Sequence, residues 1–235
     1  VALVDEATDS LADLLKEGEA KEWKRDPEFV EQLLQDDPDA IVAALNQALR
    51  GGGRPVELAA SVAQAAALRI ARFHVQNEFS DWIAVLHTFS YANALHQMLK
   101  RVESVEALRG VYHGAMRVYL DRFLNIPPAR LPVGGEPADA ATLLDQFLPL
   151  LDHQQQVDEA GRTAYRYLEA GGEPAALFRV LAEALLREDA EFHSFQMLEA
   201  ALRQYHERED EEERRVLLVA AARYLAAKAP TPRST

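Results

Sequence analysis

Apolar positions along this chain recur mostly every three to four residues, and no stretch longer than a few residues alternates with a period of two. That pattern predicts helices throughout and no strand. Leu3, Ala7, Leu11, Leu14 and Leu15 mark a first amphipathic helix over 2–17. Asp26-Pro27-Glu28 and Asp37-Pro38-Asp39 are helix starts, with Asp as N-cap and Pro at the first helical position. Gly51-Gly52-Gly53 breaks the pattern, and an Ala-rich apolar helix follows over 56–78. The next helix, 81–101, carries two apolar stripes. One is Trp82, Val85/Leu86, Phe89, Asn93, His96 and Leu99; the other is Ile83, His87, Tyr91, Ala94 and Met98. Apolar groups on both faces predict a helix covered on most sides, at the centre of the bundle.

Ser104 caps a further helix to about Leu124, ended by Pro127-Pro128. Residues 126–138 (IPPARLPVGGEPA) form a long connection, read as a subdomain boundary or a lid. Helical patterning resumes over 139–170, with a bend near Pro149, and Gly171-Gly172 ends it. Glu173-Pro174 opens one long helix through Tyr205, and a last helix carries Val216, Leu217, Val219 and Leu225. The expectation is an all-α bundle of about 8–9 helices, one domain over 1–228, and a disordered tail over 229–235.

Composition narrows the class. The chain has 235 residues, enough to bury a sizeable core, and a net charge of -13. Nucleic acids and anionic membranes need clustered Lys and Arg, so neither is an expected partner. No apolar run approaches eighteen residues, which excludes a transmembrane helix from the reading. There is no Cys, and so no disulfide, thiolate metal site or cysteine nucleophile. A cytoplasmic location is the simplest expectation.

The candidate chemistry lies in the histidines. Six of the seven fall within predicted helices, on or beside apolar positions. His74 sits on the face of Ala63, Ala67 and Ile70. His113 lies between Gly110 and Gly114, small residues that let a neighbour or ligand approach closely. Asp189 precedes His193 by four residues, so on one helix the carboxylate would orient the imidazole or share a metal with it. His87 and His96 are half a turn out of phase and would each need a partner from another helix. Convergence of such side chains in a bundle core suits zinc, iron or manganese, or an acid/base site without a metal. His74, His87, His113, Asp189 and His193 are the candidate ligands, and His96 and Tyr91 the candidate catalytic groups. The competing reading is a non-catalytic helical domain that binds a partner protein or a small molecule, with core histidines. The Ala-rich face from Ala59 to Ala71 then serves helix packing or a homo-oligomer contact.

Three segments carry a resemblance: FHVQNEFSDWIAVLHTFSYANALHQML (Phe73–Leu99), LRGVYHGAMRVYLDRFLNIP (Leu108–Pro127) and LREDAEFHSFQMLEAALRQY (Leu186–Tyr205). Together they resemble the histidine-containing helical region of bacterial proteins that also carry a Rieske-type 2Fe–2S domain. More distantly, they resemble questin-oxidase-like helical proteins. The resemblance implies an oxidoreductase-like setting, with electrons delivered to a histidine site by a Rieske-type domain. Without Cys, this chain cannot supply the two-Cys, two-His cluster itself, which would have to lie elsewhere.

Overall fold

Some helix starts rest on the expected caps, but the one expected at Asp26-Pro27 does not: that helix opens later, at Phe29, after an uncapped Glu28. In a computed structural model describing residues 2–135, 138–189 and 191–231, Asp37 accepts from the backbone N–H groups of Asp39 and Ala40 and opens α4 (Pro38–Arg50). Ser104 accepts from Ala107 N and opens α7 (Val105–Leu120). Every element among the described residues is helical, and no strand occurs.

There are twelve α-helices among the described residues, not eight or nine. The first predicted helix divides at Ser10 into α1 (Ala2–Thr8) and α2 (Leu11–Gly18). A short α3 (Phe29–Gln32) precedes α4. The helix 139–170 divides into α8 (Ala140–Leu150) and α9 (Val157–Glu169) beyond Pro149. The long helix 174–205 divides into α10 (Pro174–Arg187) and α11 (Phe192–His206). No Gly or Pro marks this last break. It is held by tertiary hydrogen bonds: Asp189 N donates to Thr231 Oγ1, Thr231 N to Glu188 Oε2, and Lys228 Nζ to the Asp189 carbonyl. These bonds replace the intrahelical ones that a continuous helix would have made. They also tie down the first part of the expected tail, where Ala229 is buried. Residues 232–235 of that tail, and Glu136 and Pro137 of the 126–138 segment, lie outside the described residues.

The chain divides into two compact units, Val1–Arg69 with His87–Phe123 and Ile70–Leu86 with Leu124–Thr235. The dividing points fall inside α5 (Pro55–Ala71), α6 (Phe79–Leu99) and the 3-10 turn Asp121–Leu124. In the first unit α4 and α7 pack on each other and on α1 and α2. Tyr112 of α7 is fully buried and donates to Asn46 Oδ1 of α4 at 2.6 Å. The Ala-rich α5 is buried continuously from Ser61 to Leu68. Small side chains allow that coverage by bringing neighbours close.

In the second unit α12 (Glu211–Lys228) packs against α9, α10 and α11. Its residues Leu217 through Ala226 are all buried. This is the helix covered on every side, the position expected for α6. On α6 the stripe from Trp82 to Leu99 is buried as expected, but His87, Tyr91, Ala94 and Met98 are exposed. Their spacing marks an outer face, not a second interface.

Candidate functional site

The end of α5 begins the site. The chain leaves the helix after Ala71, and Phe73 turns inward, fully buried, with its ring edge-on to Trp82 at 5.0 Å between centroids. The next residue, His74, is fixed at two points. Its backbone N–H donates to Oδ1 of the buried Asn125, and its ring Nδ1 accepts from Gln76 N at 3.2 Å. An Nδ1 acceptor puts the proton of the neutral imidazole on Nε2.

Beyond Asn125 the proline-rich segment forms a strap. Ala129 N donates to the Arg72 carbonyl at 2.8 Å and anchors it. Pro127 through Val133, with His74 and Val75, form one wall of a cavity of about 370 Å³. Asp158 and Arg162 of α9 and Arg223 of α12 complete it.

Arg223 is the unusual member. It is 1% exposed, in the middle of the buried stretch of α12. Nη1 donates to Asp158 Oδ1 at 2.6 Å and Nη2 to the Phe73 carbonyl at 2.7 Å. The buried Nε–H has no protein partner among the described residues. Burial pulls the guanidinium below its ordinary pKa, and the bond and charge of Asp158 oppose that. An arginine still remains cationic at neutral pH.

Gly161 makes room for this side chain. A Cβ there would stand 2.9 Å from Arg223 Cγ and 3.1 Å from Cδ, too close to the stem to be absorbed by moving the far end. Ala is favoured over Gly inside a helix by up to about 1 kcal/mol. The clash should outweigh that gain, because overpacking a tight core costs about 1–3 kcal/mol. Gly161→Ala is therefore expected to lower the denaturant midpoint; a raised midpoint would contradict this packing.

The cavity's charge runs against that of the chain. Arg130, Arg162 and Arg223 face it, against the single carboxylate of Asp158, in a protein of net charge -13. Asp158 neutralises Arg223, and Arg162 pairs with Glu159 on the outer side of α9. Arg130 has no ion-pair partner among the described residues. Cationic donors at a partly enclosed wall favour an oxyanion, since a guanidinium donates to carboxylate or phosphate in a matching fork geometry.

Of the residues expected to form a site, His74 alone lines this cavity. Asp189 and His193 belong to the same unit but do not share a helix face, because Asp189 lies in the break before α11. His193 pairs through Nδ1 with Glu191 instead, and Lys228 Nζ lies 3.6 Å from the other Glu191 oxygen. Burial acts to raise the Glu191 pKa, but the hydrogen bond from His193 and the nearby charges carry it below the ordinary value.

His87, Tyr91, His96 and His113 belong to the first unit. His87 and His113 are exposed, and His96 is buried. Tyr91 donates to the Gly110 carbonyl at 3.0 Å, and burial raises its pKa. Its ring lies close over Gly110 and Gly114. The neighbour that those two glycines admit is therefore Tyr91. Among the described residues no three or more His, Cys, Asp or Glu side chains are grouped so as to hold a metal ion. No helix among them is long and apolar enough to cross a membrane.

Arg223, Asp158 and Arg162 were not singled out by periodicity or motif. Arg223 did leave one mark, as a lone charge inside the apolar run Val216–Ala227. No family model matches the chain, no curated protein matches it, and no solved structure matches it.

Proposed function

We propose that this chain is a small-molecule-binding helical protein, and that its ligand presents an oxyanion to the cavity beneath the 127–133 strap. The carrying observation is Arg223. A guanidinium 1% exposed, with an unpartnered Nε–H, lines a cavity of about 370 Å³. Leaving a buried donor unpaired costs about 1–3 kcal/mol, so a ligand that accepts from it recovers that cost. The cavity is large enough for a small organic anion, at the lower end of ordinary ligand sites. Pro127, Pro128, Pro132 and Val133 supply apolar wall, and His74 Nε2–H supplies a neutral donor.

Isothermal titration calorimetry at low ionic strength tests this with acetate, propionate and inorganic phosphate. At least one should bind with one-to-one stoichiometry. The double variant Arg130→Gln with Arg162→Gln should weaken it about tenfold, the loss of about 1.4 kcal/mol. Binding of none of the three, or binding unchanged in the variant, would overturn the proposal.

A further inference from the structure

A second cavity, of about 550 Å³, adjoins the first and shares Val75 and Asp158 with it. Its polar lining differs in kind. Four residues with side-chain amides line it beside Glu78 and Lys228: Gln76 and Asn77 from the turn after α5, and Gln154 and Gln155 from the turn before α9. None of these four amides has a side-chain hydrogen bond to the described protein. The Nδ2 of Asn77 is buried without a partner. Gln155 holds φ at 62°, a left-handed conformation uncommon for a residue with a Cβ. Backbone held in this way clusters at ligand sites.

Carboxamides offer a donor and an acceptor side by side. That matches hydroxyl groups on adjacent carbons, each of which both donates and accepts. It does not match a hydrocarbon chain, which would leave the amides unpaired. Asp158, on the boundary of the two cavities, is a further acceptor for hydroxyl protons.

We infer that the ligand is a polyhydroxylated carboxylate of the sugar-acid class, with its carboxylate toward Arg223, Arg162 and Arg130 and its hydroxyls among the amides of the second cavity. This deepens the oxyanion reading above and rests on it. Arginines alone would accept any small anion; the adjoining amides select one with hydroxyls.

Calorimetry with D-gluconate, propionate and D-glucose separates the two claims. D-Gluconate should bind at least about tenfold tighter than propionate, and D-glucose should show no measurable binding. Asn77→Ala with Gln154→Ala should reduce D-gluconate to the propionate level and leave propionate unchanged. If propionate binds and D-gluconate binds no tighter, the sugar-acid inference falls while the oxyanion pocket stands. If D-gluconate keeps its advantage in the double variant, the amides do not select it and the inference also falls. If neither anion binds, this inference falls, and the pocket reading falls with it where acetate and inorganic phosphate also fail to bind.

Discussion

Arg223→Ala should lower the unfolding free energy by about 3 kcal/mol, the largest loss expected from any single change at the cavity. Three effects contribute. The Phe73 carbonyl loses the donor it receives at 2.7 Å, and a buried acceptor left unpaired costs about 1–3 kcal/mol. The long stem leaves a void beside Gly161, as in other large-to-small core changes. Against these, the desolvation cost of the guanidinium is relieved. Asp158 adds little to the loss, because its side chain is 57% exposed and water solvates it when the arginine is gone. That solvation places the estimate at the low end of the range for breaking a buried ion pair. Arg223→Met separates the effects: it refills the stem volume but cannot donate, and should cost about 1–2 kcal/mol. Chemical denaturation of the three proteins checks this. An Ala variant within about 0.5 kcal/mol of the parent protein would mean that neither the bond to the Phe73 carbonyl nor the packed stem of Arg223 contributes to stability.

Asp121→Asn should stabilise the protein at pH 8 by up to about 3 kcal/mol and change little at pH 4. Asp121 is 3% exposed in the 3-10 turn Asp121–Leu124 that follows α7. Burial raises its pKa from 3.8 to about 6, despite the opposing effects of Thr88, Arg117 and Arg69. A carboxyl whose folded pKa is raised contributes stability that is fully present below about pH 3.8 and lost as pH rises through about 6. Asn keeps the shape without the charge, so it removes that loss. The difference between variant and parent, followed from pH 4 to pH 8, should grow between about pH 4 and 6 and level off above 6. A flat difference would show that Asp121 titrates as an ordinary exposed carboxylate.

What the sequence could carry was local. Asp37-Pro38 and Ser104 predict helix starts because the cap and the groups it satisfies lie within three residues. The break at Gly51-Gly52-Gly53 is equally local, since Gly52 takes φ 98°, a conformation open to glycine. The break at 188–191 was not legible, since its cause is Thr231, some forty residues away. The central position of α12 was hidden for a related reason. Its acidic first turn and interior arginine dilute the apolar signal of Leu217 to Ala226, whereas the aromatic groups of α6 overstate its burial.

The candidate site divides the same way. His74 and the proline-rich connection stood out by residue type and proline content, and His74 and Pro127 through Val133 line the cavity. Asp158 and Arg223 did not, because two charges 65 positions apart become a pair only when α9 and α12 pack. The histidines on α6 and α7 drew attention by number, but helix rotation turns His87 and His113 outward.

The most direct test of the oxyanion pocket is the Nε–Hε resonance of Arg223 in a nitrogen-15 correlation spectrum, assigned by its absence in Arg223→Lys and followed through a propionate titration. The account predicts a saturable downfield shift of this resonance and slowed exchange of its proton, with arginines outside the cavity unmoved. A resonance that stays fixed at saturating propionate, or moves only in step with arginines outside the cavity, would contradict it.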